Sequence, residues 1–454
     1  MLSDLPLELQ QRCVRNLDIE SLKSLRLVGR TAHAIATAEL FSVINVVALR
    51  GFDPPRDEWH EAYEESHQRY KNVLNDAKLR KLVRRAVFKT MIPERPEAAE
   101  AEIPVGFSYA LENLYQFENL KEVVVNFSSV CVMKQPKFWS IPETVEFRTQ
   151  VLQALVRGMA NSKTAVSNAR TLTINNLQDY TEQEVFDSPS FQVMIGRLKD
   201  LHVKIATESN DHTPENNIEM KGIHKGFNHC LPNGWLKPTQ SQLTRLSIDS
   251  ASYWGFYPVC DLRGIHFPNL RDLSLGSWSI THDWQIDWIL SHGSTLEKLN
   301  LDDCPIVTHL VVDERQKPED WTGRPVLYHN SVPTDFMVEI SMRWYHIFPR
   351  FQQSLPRLVQ FAIGGSGSSK KRLGSFSDLV RDRYVMFHSG MGPSPWMEEE
   401  YYEEGYDGFE FYPDGVIDEN EELELTRFPD CDDLDTKAFY ALLSIVEGRG
   451  SAKP

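Results

Sequence analysis

The chain has no apolar run of the eighteen or more residues that a membrane-spanning helix needs. It also has no basic stretch leading into an apolar segment near Met1, so no secretory leader is read there. Cysteine is sparse. Cys13, Cys131, Cys230, Cys260, Cys304 and Cys431 are scattered, with no C-x-x-C pair, which fits reduced thiols better than a disulfide framework. These three features lead us to expect the cytoplasm and/or nucleus, with no membrane association.

Catalytic fingerprints are missing too: no G-x-S-x-G elbow, no H-E-x-x-H helix, no dinucleotide-binding G-x-G-x-x-G. The run Gly364-Gly365-Ser366-Gly367-Ser368-Ser369-Lys370 departs from a phosphate loop, because Ser369 stands where a glycine must precede the lysine. It reads as a basic surface loop. His224, His229 and Cys230 are close in sequence but have no second ligand pair, so structural or solvent-facing roles are expected and no metal. The expectation is a non-catalytic chain without cofactors.

Excess positive charge is lacking as well. The net charge of -16 comes from one segment, Glu398 to Asp435, which holds 17 of the 64 acidic side chains and one of the 48 basic ones. The remainder carries 47 of each sign and is neutral, which argues against a nucleic-acid partner. Aromatics interleave with the acids at Trp396, Tyr401, Tyr402, Tyr406, Phe409, Phe411 and Tyr412, a pattern suited to docking a basic partner.

What is present begins at Leu5. Leu9, Cys13, Val14 and Leu17 form an apolar stripe with helical spacing, and Pro6 suits a first turn. Asp18 is a fitting N-cap for a second short helix carrying Leu22, Leu25 and Val28. A third stretch, Thr31 to Phe41, buries Ile35, Ala36 and Leu40. Three short helices in about forty residues bury little surface alone, so such a module gains stability by packing on something else.

The elements Leu5-Pro6-Leu7-Glu8-Leu9, Cys13-Val14, Leu17-Asp18, Ser21-Leu22 and Leu25-Arg26-Leu27-Val28-Gly29-Arg30 together resemble the F-box pattern. The resemblance implies binding to a Skp-type adaptor and, through it, to a cullin. It makes Leu5, Pro6, Leu9, Val14, Leu22, Leu25 and Val28 the candidate adaptor-binding residues, some of which must serve the module's own core.

Beyond the module one motif returns, L-x-x-L-x-L or a relative. It occurs at Val83/Ala86/Phe88, Leu120/Val123/Val125, Ala169/Leu172/Ile174 and Leu198/Leu201/Val203. It continues at Leu243/Leu246/Ile248, Leu270/Leu273/Leu275, Leu296/Leu299/Leu301 and Leu358/Phe361/Ile363. The last two positions alternate with polar residues, as a strand buried on one face should. The steps from Leu243 to Leu270 and on to Leu296 are 27 and 26 residues, and Leu296 runs through to Cys304, a match to a leucine-rich repeat. The predicted fold class is therefore α/β: a small N-terminal three-helix F-box followed by an irregular leucine-rich-repeat-like α/β solenoid.

The expected divisions are 1–45 for the F-box, 46–80 for a helical linker and 81–365 for the solenoid with insertions. The remainder, 366–454, holds the basic loop, the acidic aromatic segment and a terminal helix over Thr436 to Val446. Polar strand positions would line the concave face. On the regular repeats these are Arg245, Ser247, Asp249, Arg271, Ser274, Lys298, Asn300 and Asp302, the candidate contacts to a protein substrate. The implied function is substrate recognition for a cullin–RING ubiquitin ligase, or else a binding scaffold of the same build without ubiquitin transfer.

Overall fold

The computed structural model describes residues 5–48, 57–90, 102–132, 143–161, 169–207, 226–313, 324–326, 335–364, 375–380, 382–388, 395–398 and 428–451. The chain is mixed α/β, most of its strands are parallel, and it divides into two compact units, Met1–Val203 and Lys204–Pro454.

The first unit opens with α1 (Leu7–Val14), α2 (Ile19–Leu25) and α3 (Arg30–Leu40). Pro6 is the cap residue ahead of α1, its carbonyl accepting from the N–H of Gln10 at 3.0 Å. Asp18 caps α2 by accepting from the N–H of Ser21 at 2.8 Å. Val14, Leu22, Ile35 and Ala36 form the module's own small core, with Leu25 and Leu40 packed against it.

Phe41 and Ser42 then lead straight into β1 (Val43–Ala48). Part of the expected linker is thus sheet, since β1 pairs in parallel with β2 (Arg85–Thr90). Helix α4 (Asp57–Asn75) covers β1 and occupies its edge: Ser66 Oγ accepts from the Val47 N–H at 3.4 Å, and His67 Nε2 lies 3.1 Å from the Val47 carbonyl. After α5 (Val105–Glu112), the ladder continues through β3 (Glu122–Asn126), α6 (Val145–Ala160) and β4 (Thr171–Gln178). Two short helices, α7 (Gln183–Asp187) and α8 (Pro189–Ile195), precede β5 (Asp200–Ala206), in which the boundary between the units falls. Gly158 allows α6 to approach α5, for a Cβ there would collide with the Leu111 carbonyl.

The second unit has its own parallel strands, β6 (Arg245–Ser250), β7 (Asp272–Gly276) and β8 (Lys298–Asp302), with α9 (Asp283–Leu290) between the last two. A second sheet is built on β9 (Ile306–Asp313), which runs antiparallel to β11 (Asp335–Glu339). The short β10 (Arg324–Val326) flanks β11. Helix α10 (Trp344–Ser354) then returns the chain to β12 (Gln360–Gly364), parallel to β8. These elements fill the long interval between the Leu296 and Leu358 motifs. Strand β13 (Tyr384–His388) joins β9 in parallel, β14 (Trp396–Glu398) pairs with β13, and α11 (Asp432–Ser451) packs on α10. The second sheet encloses Phe256, Val307, Leu310, Val312, Val338, Ile340, Val385 and Phe387.

The recurring motif has a recurring geometry. In every triplet the three apolar positions are buried, with Ile363 alone partly open. Seven strands are also entered in the same way, two successive N–H groups donating to one carbonyl at the entry of the preceding strand. In the first unit Arg84 and Arg85 donate to Ser42, Lys121 and Glu122 to Arg84, Arg170 and Thr171 to Lys121, and Lys199 and Asp200 to Arg170. In the second, Arg271 and Asp272 donate to Thr244, Glu297 and Lys298 to Arg271, and Val359 and Gln360 to Glu297. Ser277 and Asp303, just past the ends of β7 and β8, share a left-handed backbone with φ of 54° and 52°. Repeated local sequence thus yields repeated local structure.

Candidate functional site

Two surfaces present the candidate residues. The first is the N-terminal module. Leu5, Leu9 and Val28 stand exposed, Val28 at 75%, and Pro6 is exposed beside them. Val14 and Leu22 belong to the module's own core: at 1% and 5% exposure they pack with Ile35 and Ala36. Leu25 is partly buried against the same core. Three helices this short have one interior, and it must be filled before any surface is available to a partner.

The structure adds residues that the motif reading left out. Leu7, Leu17, Ile19 and Leu27 are exposed, Leu27 at 88%. Half of the large apolar side chains that stand exposed among the described residues therefore lie between Leu5 and Val28. No signal in the sequence set these residues apart, since Leu17 shares the helical stripe of the buried Val14. Phe41 ties the module to α4, with the guanidinium of Arg26 5.9 Å from its ring centre and that of Arg69 5.7 Å away. Arg69 also donates to the Leu40 carbonyl at 2.6 Å.

The second surface is the exposed face of β6, β7 and β8. Register places Arg245, Asp272 and Lys298 in one row, Ser247, Ser274 and Asn300 in the next, and Asp302 opposite Gly276. Asp249 follows Ile248, the partner of Leu275, and leans over Gly276, where a Cβ would strike its carboxylate. Asn300 Nδ2 donates to Ser274 Oγ at 3.0 Å. Arg271 is corrected out of this face: it lies one residue ahead of β7, 3.4 Å from Glu297, and Asp272 holds the strand position. Alternation with Leu273 and Leu275 points to Asp272, and Arg271 lies out of that phase.

The electrostatics of this face are uneven. Lys204 Nζ lies 3.0 Å from Asp249 Oδ2. Asp302 has no ion-pair partner among the described residues, and its carboxyl is held above the ordinary aspartate range, first by partial burial and then by the neighbouring Asp249 charge, against the opposing pull of Lys204. Asp303 accepts from the Tyr253 hydroxyl at 3.1 Å.

Other sequence candidates fall away from both surfaces. Cys230 is buried and His229 Nδ1 lies 3.3 Å from Asn233, while His224 lies outside the described residues. Among the described residues no group of three or more His, Cys, Asp or Glu side chains is placed to hold a metal. The basic loop beyond Gly364 and the acidic stretch from 399 to 427 lie outside the described residues. Trp396 is an interior contact of the second sheet, its ring 4.8 Å from that of Phe387. No described helix is long and apolar enough to cross a membrane. No protein-family model matches the chain, and no curated protein sequence matches it.

Proposed function

We propose that this chain is a substrate-recognition adaptor of a cullin–RING (SCF-type) ubiquitin ligase. Its N-terminal module binds a Skp-type adaptor, and the strand faces of its repeats bind a protein substrate. One observation carries the reading: the concentration of exposed leucine, isoleucine and valine between Leu5 and Val28 on a module whose own core is already filled. A surface of that kind on so small a unit supports burial against a partner protein.

The mechanism is proximity. A substrate held on the repeats keeps a lysine near a ubiquitin-charged enzyme, and the gain is in effective concentration, with no reacting group from this chain. The direct passage from α3 through Phe41 into β1, braced by Arg26 and Arg69, supports a module held in fixed orientation to the strands of its own unit.

Tagged full-length protein is purified from cells and probed for the adaptor and the cullin. Recovery of both is the expected result, and recovery of neither overturns the reading. Adaptor without cullin favours the second reading, a binding scaffold that acts without ubiquitin transfer. Changing Leu5 and Pro6 to Ala together should weaken adaptor capture and leave the repeats folded.

A further inference from the structure

Strand β8 presents three side chains on its open face at alternating positions: Lys298 and Asp302, both exposed, with Asn300 half-buried between them. The row through Asn300 has a small-residue floor, Ser247 and Ser274. At the Asp302 end the floor is Gly276, over which Asp249 leans from the other side. The face is therefore polarised along the strand. At its start Asp272 stands between two cations, Arg245 and Lys298, a polar amide lies at its middle, and the carboxylates of Asp302 and Asp249 stand at its end, Asp249 over Gly276. Lys204 pairs with Asp249, and although its charge also pulls on Asp302, Asp302 makes no ion pair among the described residues.

We propose that this face binds an extended peptide segment that carries an acidic side chain and a basic side chain four residues apart. The proposal rests on reading the repeats as the substrate-binding region and names the chemistry of the segment they take. The spacing follows from strand geometry. Lys298 and Asp302 are separated by four residues of β-structure, about 13 Å at 3.3 Å per residue. An extended ligand running beside them matches that distance with its own residues i and i+4, both on one face. A helical ligand does not, because four residues of helix advance only about 6 Å. Charge complementarity decides the polarity: acid over Lys298, base over Asp302, and a hydrogen-bonding side chain at i+2 over Asn300. Gly276 makes room for the Asp249 carboxylate, where any other residue would push it away, and so keeps a second acid beside Asp302.

The test uses the full-length protein and a random twelve-residue peptide display library. Against wild type, selected peptides should be enriched in an acidic and a basic residue at i and i+4, with one polarity prevailing. A second selection uses the double variant Lys298→Glu, Asp302→Lys, which reverses the face without touching the buried leucines. Its selected peptides should carry the opposite polarity at the same spacing. Fluorescence anisotropy with one selected peptide should then show Asp302→Asn weakening binding about fivefold to tenfold, the size expected for a partly desolvated ion pair. Enrichment without that spacing, or the same polarity for both proteins, overturns the proposal, and so does a failure to enrich any peptide. Adaptor capture, measured on the same preparations, reports separately on the ligase reading: loss of capture with the peptide preference intact sinks that reading alone.

Discussion

The backbone N–H of Phe267 donates to Nε2 of His292 at 3.2 Å, across 25 residues of sequence. An acceptor at Nε2 requires a neutral ring with its proton on Nδ1. The ring is fully buried, stacked on His266 at 4.9 Å and against Trp288.

Burial, and then the neighbouring His266, lower the pKa of His292 from 6.5 to about 4. Folding therefore favours the neutral form. The stability this ring contributes is complete above about pH 6.5 and is lost as the pH falls towards 4. The loss amounts to about 3 kcal/mol at about 1.4 kcal/mol per pH unit. His309, lowered to about 4 chiefly by burial, adds in the same window. Urea unfolding at pH 7 and pH 4 measures the loss, and His292→Gln, which keeps an acceptor, should shrink it by about that amount.

Leu273 and Leu299 are paired neighbours on β7 and β8, at 0% and 1% exposure. Replacing either by Ala should cost about 2–5 kcal/mol through lost burial and the cavity left behind. A denaturant midpoint shift in each variant is the check.

Gly158 sits where α6 passes the end of α5, facing the Leu111 carbonyl. The obstacle is backbone and cannot rotate away. Gly158→Ala should therefore destabilise the first unit by about 1–3 kcal/mol, although alanine favours helix. A thermal melt in which this variant equals or exceeds wild type would contradict the packing described.

Within the N-terminal module, surface and core should separate by experiment. Leu27→Ser with Val28→Ser alters two side chains at 88% and 75% exposure and should leave the melting profile unchanged while abolishing adaptor capture. Val14→Ala with Leu22→Ala should instead lower the stability of the module, since both lie in its core. Comparing hydrogen exchange with pull-down for the two variants distinguishes a docking surface from a merely structural one.

Local pattern alone located the three helices, the Asp18 cap and nearly every buried position of the recurring triplets. Each of these depends on residues within one turn or one strand, where periodicity reports the buried face directly. Sequence did not divide the module's apolar residues into core and surface, because all of them follow helical spacing and only packing decides which meet. It split β1 between the end of the F-box and the start of the helical linker, since a strand of six residues declares itself only when β2 lies beside it. The second sheet was unseen for the same reason: its strands come from 306–313, 324–326, 335–339, 384–388 and 396–398, spread too widely in sequence for any local period to join them. The buried ion pairs were equally hidden. Arg148 reaches Glu143 at 2.9 Å and the carbonyls of Ser128 and Asn176 at 2.6 and 2.7 Å. Arg383 meets Asp435, which also accepts from the Tyr384 hydroxyl and the Tyr345 N–H. A charged residue in sequence carries no sign that it will be buried. Its partner and its depth are set only when distant segments close around it, because the cost of desolvation must be met by groups that the tertiary fold brings together.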